Sequence, residues 1–408
     1  MGDWPARVDS VLGELRKNLS GAARTLRSAL DEDPFEVLAY RGYGNATRAW
    51  VNGRALEVRN VSVSTDADST FRNLLNTWRR AESDPLPFAC LTVEYANQSS
   101  AMEADDEGFF GGWIDPSQPV SGDDEWHKYE VSLVAPVRPG VGTVKATGEI
   151  LVPSSGAGFG VISDIDDTVI QSRVSNFLQA ARTVMLGNAR TRLPFPGVAA
   201  FYRALRNGAG GNEKNPIYYV SSSPWNIYDV ITEFMDLQKI PRGPLVLRDW
   251  DIGWGSLASS RHADHKSVAI RNIVQLQPGM QFILIGDTSQ HDPEIYRQIV
   301  AEFPERVKAI YIRDVSRNAE RSAAVKKLAE EILAAGSTLV LAEDTLGAAK
   351  HAAEQGWIST DALPDVRAEK RADEGQDDSK VPAPGGAAPT TGEPPTVVEA
   401  TGRAPGAP

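Results

Sequence analysis

The sequence predicts an α/β chain in which a doubly wound unit with a parallel sheet follows a β-rich, sandwich-like unit. Three observations carry that expectation. Between 158 and 358 short apolar runs alternate with stretches of helical spacing. Between 35 and 153 the apolar spacing is two, in short runs split by Gly, Asn and Pro. Two apolar runs of the later region, at 159–163 and 281–285, lead into Asp164 and into Gly286-Asp287. The C-terminal ends of such strands are where an open α/β sheet keeps its chemistry.

In chain order, Val8, Val11, Leu12, Leu15, Leu19 and Leu26 give residues 1–34 the pattern of an N-terminal helical segment. Residues 35–153 make the β-rich domain, with runs at 35–40, 89–95, 128–134 and 142–150. Asn52-Gly53, between runs at 48–51 and 54–58, is the dipeptide of a tight hairpin turn. One helix is expected over 69–80, from Phe71, Leu74, Leu75 and Trp78. Residues 154–360 make the α/β domain. Its strands are expected at 159–163, 216–220, 244–247, 281–285, 307–312 and 337–341. Its helices are expected at 197–207, 225–238, 266–275, 293–303, 320–335 and 345–354. Residues 361–408 are rich in Pro, Gly, Ala, Thr and charge, bury too little to offset chain entropy, and are expected as a disordered tail.

Composition narrows the function classes. A net charge of -12 argues against nucleic-acid binding. The single cysteine, Cys90, excludes an internal disulfide and a Cys-based metal site. No run approaches the ~20 apolar residues of a membrane span. The N-terminus lacks a signal-peptide run, and Ala6 breaks the myristoylation pattern. A cytoplasmic protein is the expectation.

The chemistry starts from Asp164-Ile165-Asp166-Asp167-Thr168. A solvated turn has the same composition. A calcium loop does not fit, since counting from Asp164 it wants Gly at the sixth position and Glu at the twelfth, where Val169 and Ser175 stand. The second strand runs into Ser221-Ser222-Ser223-Pro224, with Ser223 and Pro224 suited to the N-cap and first position of a helix. Hydroxyls beside free helix N–H groups make a phosphate cradle, or only a capped helix. Lys266, near a helix start, opposes the helix dipole unless an anion is shared there; alone it reads as a solvent-facing side chain. Asp292 before Pro293 suits an N-cap, whereas Asp287 ends a strand as Asp164 does.

Together these parts describe phosphate transfer. Asp164 attacks phosphorus to give an aspartyl-phosphate. Asp166 protonates the leaving oxygen, then activates water. Asp164, Asp287 and the backbone carbonyl of Asp166 hold Mg²⁺, a hard cation that prefers oxygen ligands. Lys266 and Ser221 neutralise the phosphoryl oxygens. Asp167, next along an extended strand end, is expected to face away from the phosphate.

With these motifs in order over about 200 residues, the chain resembles the haloacid-dehalogenase-type (HAD) phosphatases. That resemblance implies a HAD-like Rossmannoid fold, Asp164, Asp166 and Lys266 as catalytic residues, and Thr168, Ser221 and Ser222 as the substrate-binding hydroxyl positions. It adds Asp292 to the metal site, with Asp164, Asp166 and Asp287. A closer resemblance, to the actin-patch-protein type of Mg²⁺-dependent phosphatidate phosphatase, rests on 163–168, 221–226, 247–249, 265–266, 286–296 and 309–315. It implies hydrolysis of phosphatidate to diacylglycerol and phosphate at a membrane surface. Two other readings stay open: a phosphatase of soluble or protein-borne phosphomonoesters, and a non-catalytic membrane- or partner-binding module. The segment 171–196, with Val174, Phe177, Leu178, Ala181 and Met185 among arginines, reads either as a membrane-docking lid or as a cap on the core.

Overall fold

The computed structural model describes residues 34–58, 84–120, 124–169, 195–248, 262–315, 319–342 and 344–378. The expectations for helices at 4–30 and 69–80, for most of the segment 171–196 and for the tail beyond 378 lie outside the described residues. The chain divides into two compact units, Met1–Ser154 and Ser155–Pro408.

Among the described residues the first unit holds nine strands: β1 Phe35–Ala39, β2 Gly42–Gly44, β3 Ala49–Glu57, β4 Asp84–Pro85, β5 Cys90–Tyr95, β6 Gln98–Glu103, β7 Phe109–Ile114, β8 Trp126–Ala135 and β9 Lys145–Leu151. Their order is β1-β3-β2-β9-β8-β5-β6, with β4 and β7 also on β3. Tyr129, Val131 and Leu133 alternate into the core from β8 and meet Leu91 and Val93 of β5. Asn52-Gly53 is not a turn. Both residues lie inside β3, paired with Gly111 and Phe110 of β7. A Cβ on Gly53 would stand 2.0 Å from the Leu38 carbonyl and 2.5 Å from the Phe110 ring. Glycine is there for close approach, its other use in a strand. The tight hairpin is instead at Ala96-Asn97 between β5 and β6, with φ of 44° and 62°, the positive pair a two-residue turn needs.

The second unit is a six-stranded parallel sheet of order β12-β11-β10-β13-β14-β15. It contains β10 Gly160–Ser163, α1 Val198–Asn207, β11 Ile217–Pro224, α2 Tyr228–Leu237, β12 Leu245–Arg248, α3 His262–Leu276, β13 Phe282–Asp287, α4 Asp292–Glu302, β14 Val307–Arg313, α5 Ala319–Ala334, β15 Thr338–Ala342, α6 Thr345–Glu354 and α7 Leu363–Asp378. Helices cover both faces, as consecutive residues of β11 record. Tyr219 stacks on Tyr202 of α1, whereas Tyr218 meets Gln277, just past α3. Neighbours on a strand face opposite ways. Strand order reverses beside β10: the chain steps outward to β11 and β12, then returns to β13 on the other side. The ends of β10 and β13 therefore flank a topological switch point, where such sheets bind ligands.

Two local expectations are corrected. The helix expected to begin at Ser223-Pro224 does not start there. β11 continues to Pro224, a 3₁₀ turn spans Trp225–Ile227, and α2 begins at Tyr228. Of the tail expected to be disordered from 361, the described part instead forms α7, Leu363–Asp378. Val366 is buried, and three charged residues find partners: Asp373 accepts from Gly197 N at 2.9 Å, Glu369 from Ala200 N at 2.7 Å, and Lys370 donates to Asp344 at 2.7 Å. The first two bonds cap α1, whose own N-cap, Gly197, has no side chain to offer. Composition hides this because the partners are 26 to 176 residues away.

Candidate active site

Ser163 ends β10, and the chain then leaves the extended conformation. Val169 N donates to Ile165 O and Asp167 takes a φ of 54°. The five-residue motif is a turn. It orients the acids by curvature, so the extended-strand reason for turning Asp167 away fails. Asp167 lies toward Ser289 Oγ at 3.4 Å. Asp164 is pinned at its backbone: its N–H donates to Ile285 O on β13 at 2.9 Å, and its carbonyl accepts from Ser163 Oγ at 2.6 Å.

The structure gathers Asp164, Asp287, Asp292 and Lys266. The three carboxylates are buried, with one oxygen of each within 4.8 Å of the others. Lys266, 3% exposed on α3, places Nζ 2.8 Å from Asp164 Oδ1 and donates at 2.8 Å to Asp292 Oδ1 and to Gln290 Oε1. It points inward, against the solvent-facing reading. Asp292 folds back from the start of α4, its Oδ2 facing Asp287 N at 3.3 Å. This needs Gly286, where a Cβ would stand 2.6 Å from that Oδ2. Asp292 is thus an inward-facing acid, and the N-cap of α4 is His291.

One ammonium faces three buried carboxylates. Burial first, with Asp292 next, holds Asp164 well above the usual carboxylate range. The same two causes push Asp287 up to about 6. Burial works against the Lys266 charge, but Asp164 and Asp292 outweigh it and raise its pKa. Burial lowers His265 to about 4, so it adds no charge near neutral pH. The excess of buried negative charge and the all-oxygen donor set fit a hard divalent cation. Oδ1 of Asp164, although ion-paired, accepts no aligned hydrogen bond from a described residue.

Asp166 stands outside this carboxylate group. Its Oδ2 accepts from Ser221 Oγ at 2.7 Å and from Ser223 Oγ at 3.2 Å. The serine run therefore splits its duties. Ser221, also accepting from Ser223 N at 2.9 Å, and Ser223 hold Asp166, while the structure places Ser222 half-buried between them. Thr168 is buried, its Oγ1 3.5 Å from Asp287 Oδ2.

Two participants were not singled out from residue types. Ser223 reads as a cap and instead bonds Asp166. Gln290 bridges the site, with Oε1 on Lys266 and Nε2 3.5 Å from Asp164 Oδ2. Its signal was its place between Asp287 and Asp292.

Known proteins bear on this region. Residues 159–314 match the family model described as "Phosphatidate phosphatase APP1, catalytic domain". Phosphatidate phosphatase APP1 of Saccharomyces cerevisiae is 31% identical over 162 residues, covering 40% of this chain and 27% of that protein. An uncharacterised protein of Schizosaccharomyces pombe is 30% identical over 160 residues, covering 39% of this chain and 25% of that protein. The chain therefore spans about a quarter of the length of these curated relatives. A solved carbohydrate acetylesterase from Xanthomonas citri is similar at 11% identity and a TM-score of 0.24, covering 72% of this chain and 71% of that one; so low a score carries no argument. Every carboxylate, hydroxyl and ammonium named above falls within 159–314, the stretch that resembles the catalytic domain of the APP1 family.

Proposed function

We propose that the second unit is a Mg²⁺-dependent phosphatase that hydrolyses phosphatidate to diacylglycerol and phosphate through an aspartyl-phosphate. The observation that carries this reading is the buried group of Asp164, Asp287 and Asp292 around one ammonium, beside a separately held Asp166, at a switch point. The sheet order supports a HAD-like Rossmannoid unit, and the first unit is taken as the sandwich-like partner domain. The likeness of 159–314 to APP1 supports the substrate.

Asp164 is the nucleophile. Its backbone is fixed by β13 and by Ser163, so the carboxylate is preorganised for attack. A carboxylate oxygen of Asp164 bonds phosphorus while the bond to the glyceride oxygen breaks. That oxygen takes the proton of Asp166, which is oriented by Ser221 and Ser223. Asp166, now ionised, removes a proton from water, and the resulting attack on phosphorus releases phosphate and restores Asp164. Lys266 holds Asp164 in one rotamer and offers positive charge to the phosphoryl oxygens, with the hydroxyls of Ser221, Ser222 and Thr168 as further contacts. When bound by Asp164, Asp287, Asp292 and the Asp166 carbonyl, Mg²⁺ supplies neutralisation of the charge that develops on phosphorus.

Among the described residues no helix is long and apolar enough to cross a membrane. The lipid would be met at a membrane surface by a peripherally bound cytoplasmic protein. The test is a substrate panel with purified protein: phosphatidate in mixed micelles against soluble phosphoesters, with Mg²⁺ or with EDTA. Phosphatidate turnover that EDTA removes is expected. Turnover of the soluble esters alone overturns the lipid reading, and no turnover of any ester leaves the non-catalytic module.

A further inference from the structure

We infer that Arg321, on α5 and outside the 159–314 match, is the positioning residue of the loop that presents Asp287, Gln290 and Asp292; this rests on the metal-site reading above. The loop between β13 and α4 has little regular structure of its own, yet it must orient three side chains at once. Arg321 grips it at three points. Nε donates to Thr288 O at 3.0 Å, Nη2 donates to Gln290 O at 2.7 Å, and the guanidinium pairs with Glu294 in the first turn of α4, with Nη2 to Oε2 at 2.9 Å.

One of the peptides it holds orients the acid, since Thr288 O and Ser289 N belong to the same peptide. Ser289 N and Gln290 N both donate to Asp287 Oδ1, the latter at 3.3 Å. Turning the Thr288-Ser289 peptide would swing the Ser289 N–H off that oxygen. The next residue of α5 closes the other side of the loop. Ser322 Oγ donates to Asp314 Oδ2 at 2.6 Å, and Asp314 Oδ1 accepts from Thr288 Oγ1 at 3.2 Å. The first turn of α5 is thus a clasp on the acid loop.

The grip is geometric more than electrostatic. Glu294 already answers the Arg321 charge, whereas two carbonyls and a carboxylate suit a rigid fork of donors. A lysine keeps the charge and loses the fork, so the conservative change should not rescue. Partners that orient metal ligands typically affect metal affinity about 10–100-fold.

The experiment is a Mn²⁺ titration of the full chain, without substrate, read by electron paramagnetic resonance of free Mn²⁺. Arg321→Ala and Arg321→Lys are each expected to bind Mn²⁺ at least about tenfold more weakly than the unaltered protein. Thermal unfolding without metal runs in parallel. Binding within twofold of the unaltered protein in either variant overturns the inference, whatever the melting temperature does, since a merely structural role moves melting and not affinity. If the Arg321 variants do not fold, Glu294→Gln, which frees the fork from α4, is expected to weaken binding about threefold, and unchanged binding overturns the inference. Unaltered protein that binds Mn²⁺ without hydrolysing phosphatidate refutes the lipid function and leaves the role of Arg321 standing. Unaltered protein that binds no Mn²⁺ overturns both.

Discussion

The two units treat buried charge in opposite ways. In the β-rich unit each well-buried charge with a described partner is answered locally. Arg54 donates to Glu107 O at 3.1 Å and lies over the Phe109 ring at 4.5 Å. Glu57 is 4.0 Å from Arg138, itself over the Phe35 ring at 4.1 Å. In the parallel-sheet unit three carboxylates, none more than 1% exposed, share Lys266. Burying like charges opposes folding, so a site that keeps them invites a chemical explanation. The first unit spends these charges on structure, and the second gathers three acids that could hold a metal ion.

The sharpest way to break that contrast is to remove the central charge. Asp164→Asn should lower phosphate release by at least about 10³-fold, the scale of losing a nucleophile. The same change should raise the melting temperature of the metal-free protein by a few degrees, because it relieves repulsion with Asp292 and Asp287. A fall in melting temperature would mean the carboxylates are not in excess.

Lys266→Met tests the opposite sign. It leaves Asp164 and Asp292 without their ammonium and should destabilise the metal-free protein by about 3–5 kcal/mol, measured by urea unfolding. Added Mg²⁺ should recover part of that loss.

The pH dependence sharpens the contrast further. Asp287 is raised from 3.8 to about 6 in the folded protein. The folded state therefore holds this proton more tightly than the unfolded chain does. Its contribution to stability is fully present below about pH 4 and is lost as pH rises through about 6. The unaltered protein, compared with Asp287→Asn without metal, should lose on the order of 2–3 kcal/mol across that window. Denaturation at several pH values reads this directly; a flat difference would remove Asp287 from the excess-charge group.

The smallest effect belongs to the first unit. Tyr129 OH lies 2.6 Å from Tyr40 O and 2.9 Å from Asn52 O in the core. Tyr129→Phe should destabilise by about 1–1.5 kcal/mol, the ordinary scale of one buried hydrogen bond, and leave phosphate release unchanged.

Much of the α/β unit was legible in the sequence. Its six apolar runs became β10 to β15, because residues inside a parallel sheet are apolar on both faces and stand out as runs. Asp164 and Asp287 were legible for the same reason, as acids that interrupt apolar strands. Signals with two physical meanings were read less well. Asn52-Gly53 serves close packing rather than a turn, and Ser223 bonds Asp166 rather than a helix N-terminus. α7 was missed because its stabilising partners are Gly197, Ala200 and Asp344, remote in sequence.

What the sequence determined by itself was the inventory: two acids at strand ends, a hydroxyl run after the second strand, one lysine at a helix start, and a glycine-acid pair. These are local facts about residue type and spacing. Tertiary structure alone decided the distances. The strand-order reversal beside β10 put Asp164 next to Asp287, the absent Cβ of Gly286 let Asp292 fold back to them, and Arg321 came to bond the Thr288 and Gln290 carbonyls between. Electrostatic excess is a property of separation and burial, and neither is written at any single position of the chain.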